Sequence, residues 1–591
     1  MIAAFLNHQK HRVLATLCII GMVLLLNLQL VVHLPSHFIG RPFDDAISVV
    51  WEFWWANEAV QEGKPVLYTP DVYYPNGYHL GSDAQPIWWM IVCVPLTRVF
   101  GPLAAYNIVT LTTLIVAGVG VYLLVEFLTG SRLAGVVASP VYIFAPVMTL
   151  RLGGHLNILL AAQWLPYLAL FAYRSLANAG RHGWVSSALA GVMYFLASIS
   201  CWYFAFIGFV PLISVFLLSS LERSKTRRLQ RLGVALASWC LLTTPFLILT
   251  LQANSAMFGE TAGFDLASSD GLSISVDRLL TPNPANAVWR EWLSQRLDIS
   301  GESDYISLGY VPLLLALLGM WKSKATRESK ISAVAILSLS IILAMGTTLH
   351  WNHQRVLVGS PSSLAKLYSR LTEWLTVSIT AEPAIPLPGL LLARFVPFYA
   401  MMRAWARFMI VGMLGLAILV GHGASFALSV SKRHGRYWMT FAAALILVEA
   451  VAMPYSEFTP IQMIQRPVDF WLAEQPKGIA IVEYPWPYRN KNALYSQTIH
   501  EQPIVNGYAP HVPLHLQQSP EVMSTWPNEA TVATLREWGV EYILVTGADT
   551  QEFREVWADL QALPDLHWIE SFPSVAGEAG VQVHVFEIAD D

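Results

Sequence analysis

The stretch "PIWWMIVCVPLTRVF", Pro86 to Phe100, decides how this chain is threaded. It is apolar but only about fifteen residues long, with Pro95 and Arg98 inside it, whereas a helix needs about 20 residues to cross a bilayer. Eleven other apolar runs have spanning character: Val13–His33, 104–128, 132–150, 158–173, 184–200, 202–221, 231–251, 308–321, 331–350, 406–429 and 437–454. Short cytoplasmic loops collect Lys and Arg. If 86–100 does not cross, "TGSR", "YRSLANAGRHG", "LERSKTRRLQR", "KSKATRESK" and "SKRHGR" all fall on the inside. If it crosses, the most basic of these is sent outside. The segment therefore reads as an interfacial or re-entrant helix in a chain of about eleven spans.

Composition agrees. Of 591 residues, 55% are hydrophobic and 13% charged, about half the charged share of a soluble domain. The net charge of -4 comes with scattered basic residues, which excludes a nucleic-acid footprint. The first run is too long for a signal-peptide core and lacks a small-residue cleavage site, so it reads as an uncleaved span. All four cysteines lie in apolar runs without paired spacing, which argues against a zinc site or a disulfide framework.

An odd number of spans with a cytoplasmic N-terminus places 34–103, 252–307, 351–405 and a tail from about 456 outside the plasma membrane. In the tail, β-type runs ("GIAIVEY", "EYILVTG", "VQVHVFEIA") alternate with helix-like ones ("ATVATLREWG", "FREVWADLQAL"). The expected architecture is mainly α: a transmembrane domain over 1–455 and an extracytoplasmic α/β domain over 456–591.

The phosphate-binding GxxxxGK[ST], HExxH, GxSxG and CxxC motifs are missing, so chemistry must come from polar groups near the membrane face. In "GRPFDDAISVVWEFWWANEA", Asp44 and Asp45 follow the first span by about ten residues. A carboxylate there suits a general base, a ligand for a divalent metal, or an N-cap for the helix that begins beside it. Trp51, Trp54 and Trp55 read as an interfacial aromatic belt or as a sugar-stacking platform. The loop "YTPDVYYPNGYHLGSD" offers Asp71, His79 and Asp83 among tyrosines, suited to carbohydrate or to loop packing. "RLGGHLNILLAAQWLPY" places His155, Asn157 and Gln163 near a span's outer end, where polar groups are costly; a capping role would also explain His155. "LDISGESDYISLGYVP" supplies Glu302 and Asp304, as site carboxylates or as loop solvation. "LLARFVPFYAMMRAWARF" puts Arg394, Arg403 and Arg407 outside, as a phosphate clamp or as snorkelling side chains.

Taken in order, these residues resemble the GT-C superfamily of polytopic glycosyltransferases, and within it the YfhO-like membrane proteins. The resemblance rests on Asp45 followed six residues later by Trp51, "YYPNGYHL", "AYNIVTLTTLIVAGVGVYLL", "GHLNILLAAQWLPYLAL", "YISLGYVPLLLALLG", "RFVPFYAMMRAWARF" and "LYSQTIHEQPIVNGY", and it covers nearly the whole chain. It implies a catalytic Asp in the first external loop, an amphipathic helix in that loop, and a site at the outer membrane face. By spacing, Asp45 is the better match, with Asp44 beside it; the family often has Asp-Glu or Gly-Asp where this chain has Phe43 before two aspartates.

The function this implies is transfer of a sugar from a polyprenyl-phosphate-linked donor to a hydroxyl of a glycan, lipid or protein acceptor. His79, His155, Asn157, Glu302, Asp304 and the arginines would bind substrate. The cofactor it allows is a divalent ion, magnesium or manganese, on Asp45 and Glu302. Rival readings are a flippase for a lipid-linked saccharide and a scaffold whose tail binds a partner through Tyr495, His500 and Asn506.

Overall fold

The computed structural model describes residues 2–589 apart from 43, 83–85, 219–221, 223, 260–265, 300, 324–326, 360–361, 376–378, 380–381, 397–398, 400–401, 452–454, 456, 487–489, 510 and 576–579. Asp83 thus lies outside the described residues. Among the described residues, five helices are long and apolar enough to cross a membrane: Pro102–Thr129, Leu156–Ala177, Gly180–Ser200, Lys225–Phe258 and Trp405–Val430. A sixth span is formed if Arg132–Ile143 and Pro146–Gly153, bent by 55° at their junction, are taken together.

Eleven spans are not reached by length and composition among the described residues, and the reason is local. An apolar run counts residues whether or not the helix through them is continuous. The 202–221 run breaks near Gly208, between Phe204–Ile207 and Phe209–Leu218. The helix of the 308–321 run is the 13-residue Tyr310–Lys322, and that of the 331–350 run ends at Ala344. The 132–150 run turns at Phe144–Ala145, just before Pro146, because proline cannot donate to the preceding turn. That turn carries the chain sideways into "RLGGH".

Trp405–Val430 is the central helix, buried almost throughout, whereas little of Lys225–Phe258 is buried. Small residues allow the close packing that membrane helices use: a Cβ on Gly423 would stand 2.0 Å from the Leu315 carbonyl oxygen. The 86–100 segment forms the 14-residue helix Ile87–Phe100, short of a span, packed against Ala46–Glu62.

The tail holds a four-stranded sheet. Ala480–Tyr484 pairs in parallel with Val540–Ala548, which pairs antiparallel with Val581–Ile588, and Leu566–Pro573 forms the far edge. The helix-like runs form Glu529–Glu537 and Gln551–Ala562. The sheet's core is shared: one hydrophobic cluster joins Phe38, Ile47, Trp51, Trp55 and Tyr73 to Ile481, Leu494, Ile504 and Val545. The strand His37–Ile39 pairs with Phe458–Pro460, Trp51 Nε1 donates to Gln497 Oε1 at 2.8 Å, and Gln497 Nε2 donates to the Asp71 carbonyl at 2.7 Å. The 34–103 segment and the tail are thus one packed body.

Two expectations fall with this packing. Trp51 and Trp55 are buried, at 1% and 2% exposure, so they form neither an interfacial belt nor a sugar platform; the tail covers them. Tyr495, His500 and Asn506 are buried as well. His500 Nδ1 accepts from the Gln502 N–H, and Asn506 Oδ1 accepts from the Glu483 N–H, so these residues brace the tail and present no surface to a partner.

Candidate active site

Five stretches meet beside Asp45: residues 39–45, the 149–155 turn, the segment that carries Ala285, Arg290 and Tyr305, the Tyr455 and Glu457 stretch, and the start of the Lys491–His500 helix. Together they line a cavity of about 330 Å³, at the lower end of small-ligand sites. The "GRPFDD" turn is closed locally, since Asp44 Oδ2 accepts from the Arg41 N–H at 2.7 Å. Gly40, at φ +131°, donates to the Glu457 carbonyl at 3.1 Å. Asp44 thus spends one carboxylate oxygen on its own turn.

Asp45 does not. It stands at the N-cap of Ala46–Glu62, yet its side chain makes no capping hydrogen bond; Ser48 Oγ instead donates to the Asp45 carbonyl. The carboxylate points to partners far along the chain. Oδ1 accepts from Lys491 Nζ at 2.5 Å and from the Tyr508 hydroxyl at 2.9 Å. Nε2 of His155 stands 3.6 Å from Oδ2, beyond a hydrogen bond. Burial opposes ionisation of Asp45, but the attraction of His155 in its protonated form and of the Lys491 ammonium outweighs it and holds the carboxyl below its ordinary value.

His155 is placed by a glycine. Gly154 has φ +119°, and a Cβ there would meet the Ala46 nitrogen at 2.4 Å and the Asp45 Cβ at 2.8 Å; only a bare backbone lets this turn press against the start of the helix. Burial, with the cations of Arg151 and Arg407, lowers the His155 pKa to about 4, so the imidazole is neutral at neutral pH. Among the described residues its Nδ1 finds no hydrogen-bond partner.

Behind His155, Glu302 accepts from the buried Arg151 on one oxygen and from Arg407 Nη2 at 3.3 Å on the other. Arg407 also stacks over Tyr203, 4.8 Å from the ring centre. Against its burial, the two guanidinium groups hold the Glu302 carboxyl far below its ordinary value. The two cations exceed the one anion by a unit charge.

Asp44, Asp45, His155, Glu302 and Arg407 therefore gather in one place. The other expected site residues do not join them. Asp304 is buried and pairs with Arg278 Nε at 2.8 Å and with His353, which makes it a strut of the 276–353 region. Arg394 and Arg403 are exposed. His79 sits in a two-stranded ribbon with its ring against Tyr68, and Asn157 Oδ1 turns back to the Ile158 N–H.

Lys491, Tyr508, Arg151 and Gly154 carry most of this geometry without having been singled out in the sequence. The signals were faint: a glycine pair before His155, an arginine at the end of an apolar run, and a lysine after a capping asparagine. For a divalent ion the fit is poor. Among the described residues no three His, Cys, Asp or Glu side chains are grouped to hold one. The two expected ligands are already taken, Asp45 by Lys491 and Glu302 by two arginines.

A family model described as a domain of unknown function, DUF6311, matches residues 15–372. The chain belongs to the DUF6311 family. No curated protein matches this DUF6311 member. Among solved structures, the arabinofuranosyltransferase AftD from Mycobacteria aligns over 99% of the chain at 12% identity with a TM-score of 0.59. The chain spans only 42% of AftD's length. ArnT from Cupriavidus metallidurans, in a structure with undecaprenyl phosphate, aligns over 96% of this chain and 98% of its own at 11% identity and a TM-score of 0.50. At the level of fold, and in keeping with the expected superfamily, this DUF6311 protein resembles these two solved structures. The YfhO-like branch has no counterpart in these matches.

Proposed function

We propose that this DUF6311 protein is a membrane glycosyltransferase that moves a sugar from a polyprenyl-phosphate carrier to an acceptor hydroxyl, with inversion at the anomeric carbon. The observation that carries the reading is the Asp45 carboxylate. It is aimed into a cavity of sugar-binding size, it is free of capping duty, and its neighbours keep it ionised. The acceptor O–H gives its proton to Asp45, the acceptor oxygen bonds the anomeric carbon, and the bond from that carbon to the phosphate oxygen breaks, releasing polyprenyl phosphate. A carboxylate of lowered basicity contributes mainly by holding the hydroxyl in line. Neutral His155 stands beside the reacting oxygens, and the surplus positive charge of Arg151 and Arg407 favours the phosphate, with Arg394 and Arg403 as contacts for it at the membrane surface. The undecaprenyl phosphate in the structure of ArnT supports a lipid-linked donor.

In this reading the chain has about eleven crossings with the shorter helices included, a cytoplasmic N-terminus, and an extracytoplasmic α/β domain over 456–591. The site then opens at the outer face of the plasma membrane, towards a glycan, lipid or protein acceptor. The test is Asp45→Asn in membranes supplied with radiolabelled polyprenyl-phosphate sugars. The variant should insert as the parent does and lose transfer by about 10²-fold or more. Undiminished transfer would overturn the mechanism, and lipid-linked sugar crossing the membrane without transfer would favour a flippase.

A further inference from the structure

We infer that Lys491 is the resident cation of the Asp45 site, standing where a divalent metal would otherwise neutralise the carboxylate, so that sugar and phosphate are handled without a metal ion. The inference rests on the proposed glycosyl transfer for its catalytic part and on geometry alone for its metal part.

The lysine is built into place. Asn490 caps the Lys491–His500 helix through its side chain to the Ala493 N–H at 3.1 Å, while its Nδ2 donates to Glu483 Oε2 at 3.0 Å and its N–H to the Gly507 carbonyl at 2.6 Å. That helix docks on Ala46–Glu62 through Trp51 and Gln497. Lys491 thus occupies the first position of a helix, where the helix dipole disfavours a cation. What compensates is Asp45 on one side and the Tyr508 ring, 4.9 Å from the ammonium, on the other.

The remaining carboxylates of the cavity and its back wall are supplied in the same way. Asp44 takes the Arg41 N–H, Glu457 takes the Arg41 guanidinium at 2.8 Å, and Glu302 takes Arg151 and Arg407. A small dication needs several oxygens at about 2.0–2.6 Å, and here each of these carboxylates already has at least one oxygen held by the chain's own donors. Lys491 is accordingly a positioning residue: it fixes the rotamer of Asp45 and its ionisation.

The experiment uses the full-length protein in detergent. Manganese binding, read by electron paramagnetic resonance, should be undetectable in the parent at millimolar Mn²⁺, and EDTA should leave its melting midpoint unchanged. Lys491→Met vacates the cation position beside Asp45. Transfer should fall about 10²-fold with KM little changed, and Lys491→Arg should recover part of it. Manganese bound by the parent and lost in Asp45→Asn would overturn the inference, as would Lys491→Met transferring at the parental rate. If Asp45→Asn retains transfer, the glycosyltransferase mechanism fails, while the manganese measurement still judges the cation.

Discussion

Replacing Gly154 by alanine tests how closely the 149–155 turn must meet the start of Ala46–Glu62. Gly154 sits at φ +119°, and a Cβ added there would lie 2.4 Å from the Ala46 nitrogen. An ordinary contact begins near 3.4 Å, so the turn and the helix start must separate by about 1 Å, the order of misplacement that can cost 10²-fold in rate. Neither neighbour is a side-chain tip that can swing aside, since the atoms met are backbone and the Asp45 Cβ itself. The unfavourable backbone conformation adds about 1–3 kcal/mol of strain. Gly154→Ala should therefore lower the melting midpoint modestly and transfer severely. Gly153→Ala is the control, because its Cβ would make only ordinary contacts, with the Ile39 carbonyl oxygen at 3.6 Å and the Gly40 Cα at 4.0 Å. Transfer and melting are measured on the same purified samples. Equal transfer by the two variants would refute the claim that His155 and Asp45 are positioned through this contact.

Glu302→Gln should destabilise the protein by about 3–5 kcal/mol, the usual result of stranding buried charge, because it leaves Arg151 and Arg407 facing each other without an anion; denaturant melts of parent and variant check this. The second expectation concerns acid. The folded pKa of His155 is about 4 against an ordinary 6.5, so between these values the unfolded chain binds a proton that the fold refuses. Stability is then lost as pH falls through that window. Asp45, also lowered, adds its own loss below its ordinary value of 3.8. The melting midpoint of His155→Gln should fall less steeply than the parent's from pH 6.5 to 4, and identical slopes would remove His155 from the account.

Much of this was legible from local pattern. The three β-type runs of the tail form strands, the short 86–100 segment forms a sub-spanning helix, and charge pointed to the Asp44 and Asp45 pair, of which the family resemblance favoured Asp45. What escaped was pairing over distance. Asp45 and Tyr508 are 463 positions apart, and Arg151 and Glu302 are 151 apart; nothing near either residue names its partner. Arg151, at the end of an apolar run, reads as a side chain reaching for the membrane surface, and only the fold shows it fully buried on Glu302. The tryptophans misled for the same reason: an indole beside a membrane span suggests an interface until a tail more than four hundred residues later is laid over it. The strand Leu566–Pro573 was not anticipated; as the edge of its sheet it exposes His567 to Glu570 on successive positions, which erases the alternation that marks a half-buried strand.

The tail's position bears on how the site works. Arg41 and Asp45 flank the "GRPFDD" turn, and the tail holds each of them, through Glu457 and Lys491. The same turn is closed from within by Asp44 and pressed on its other side by Gly154. A turn gripped from both sides cannot shift its carboxylate without unseating either the tail or the 149–155 turn. The tail therefore forms one wall of the cavity, through Glu457 and Lys491.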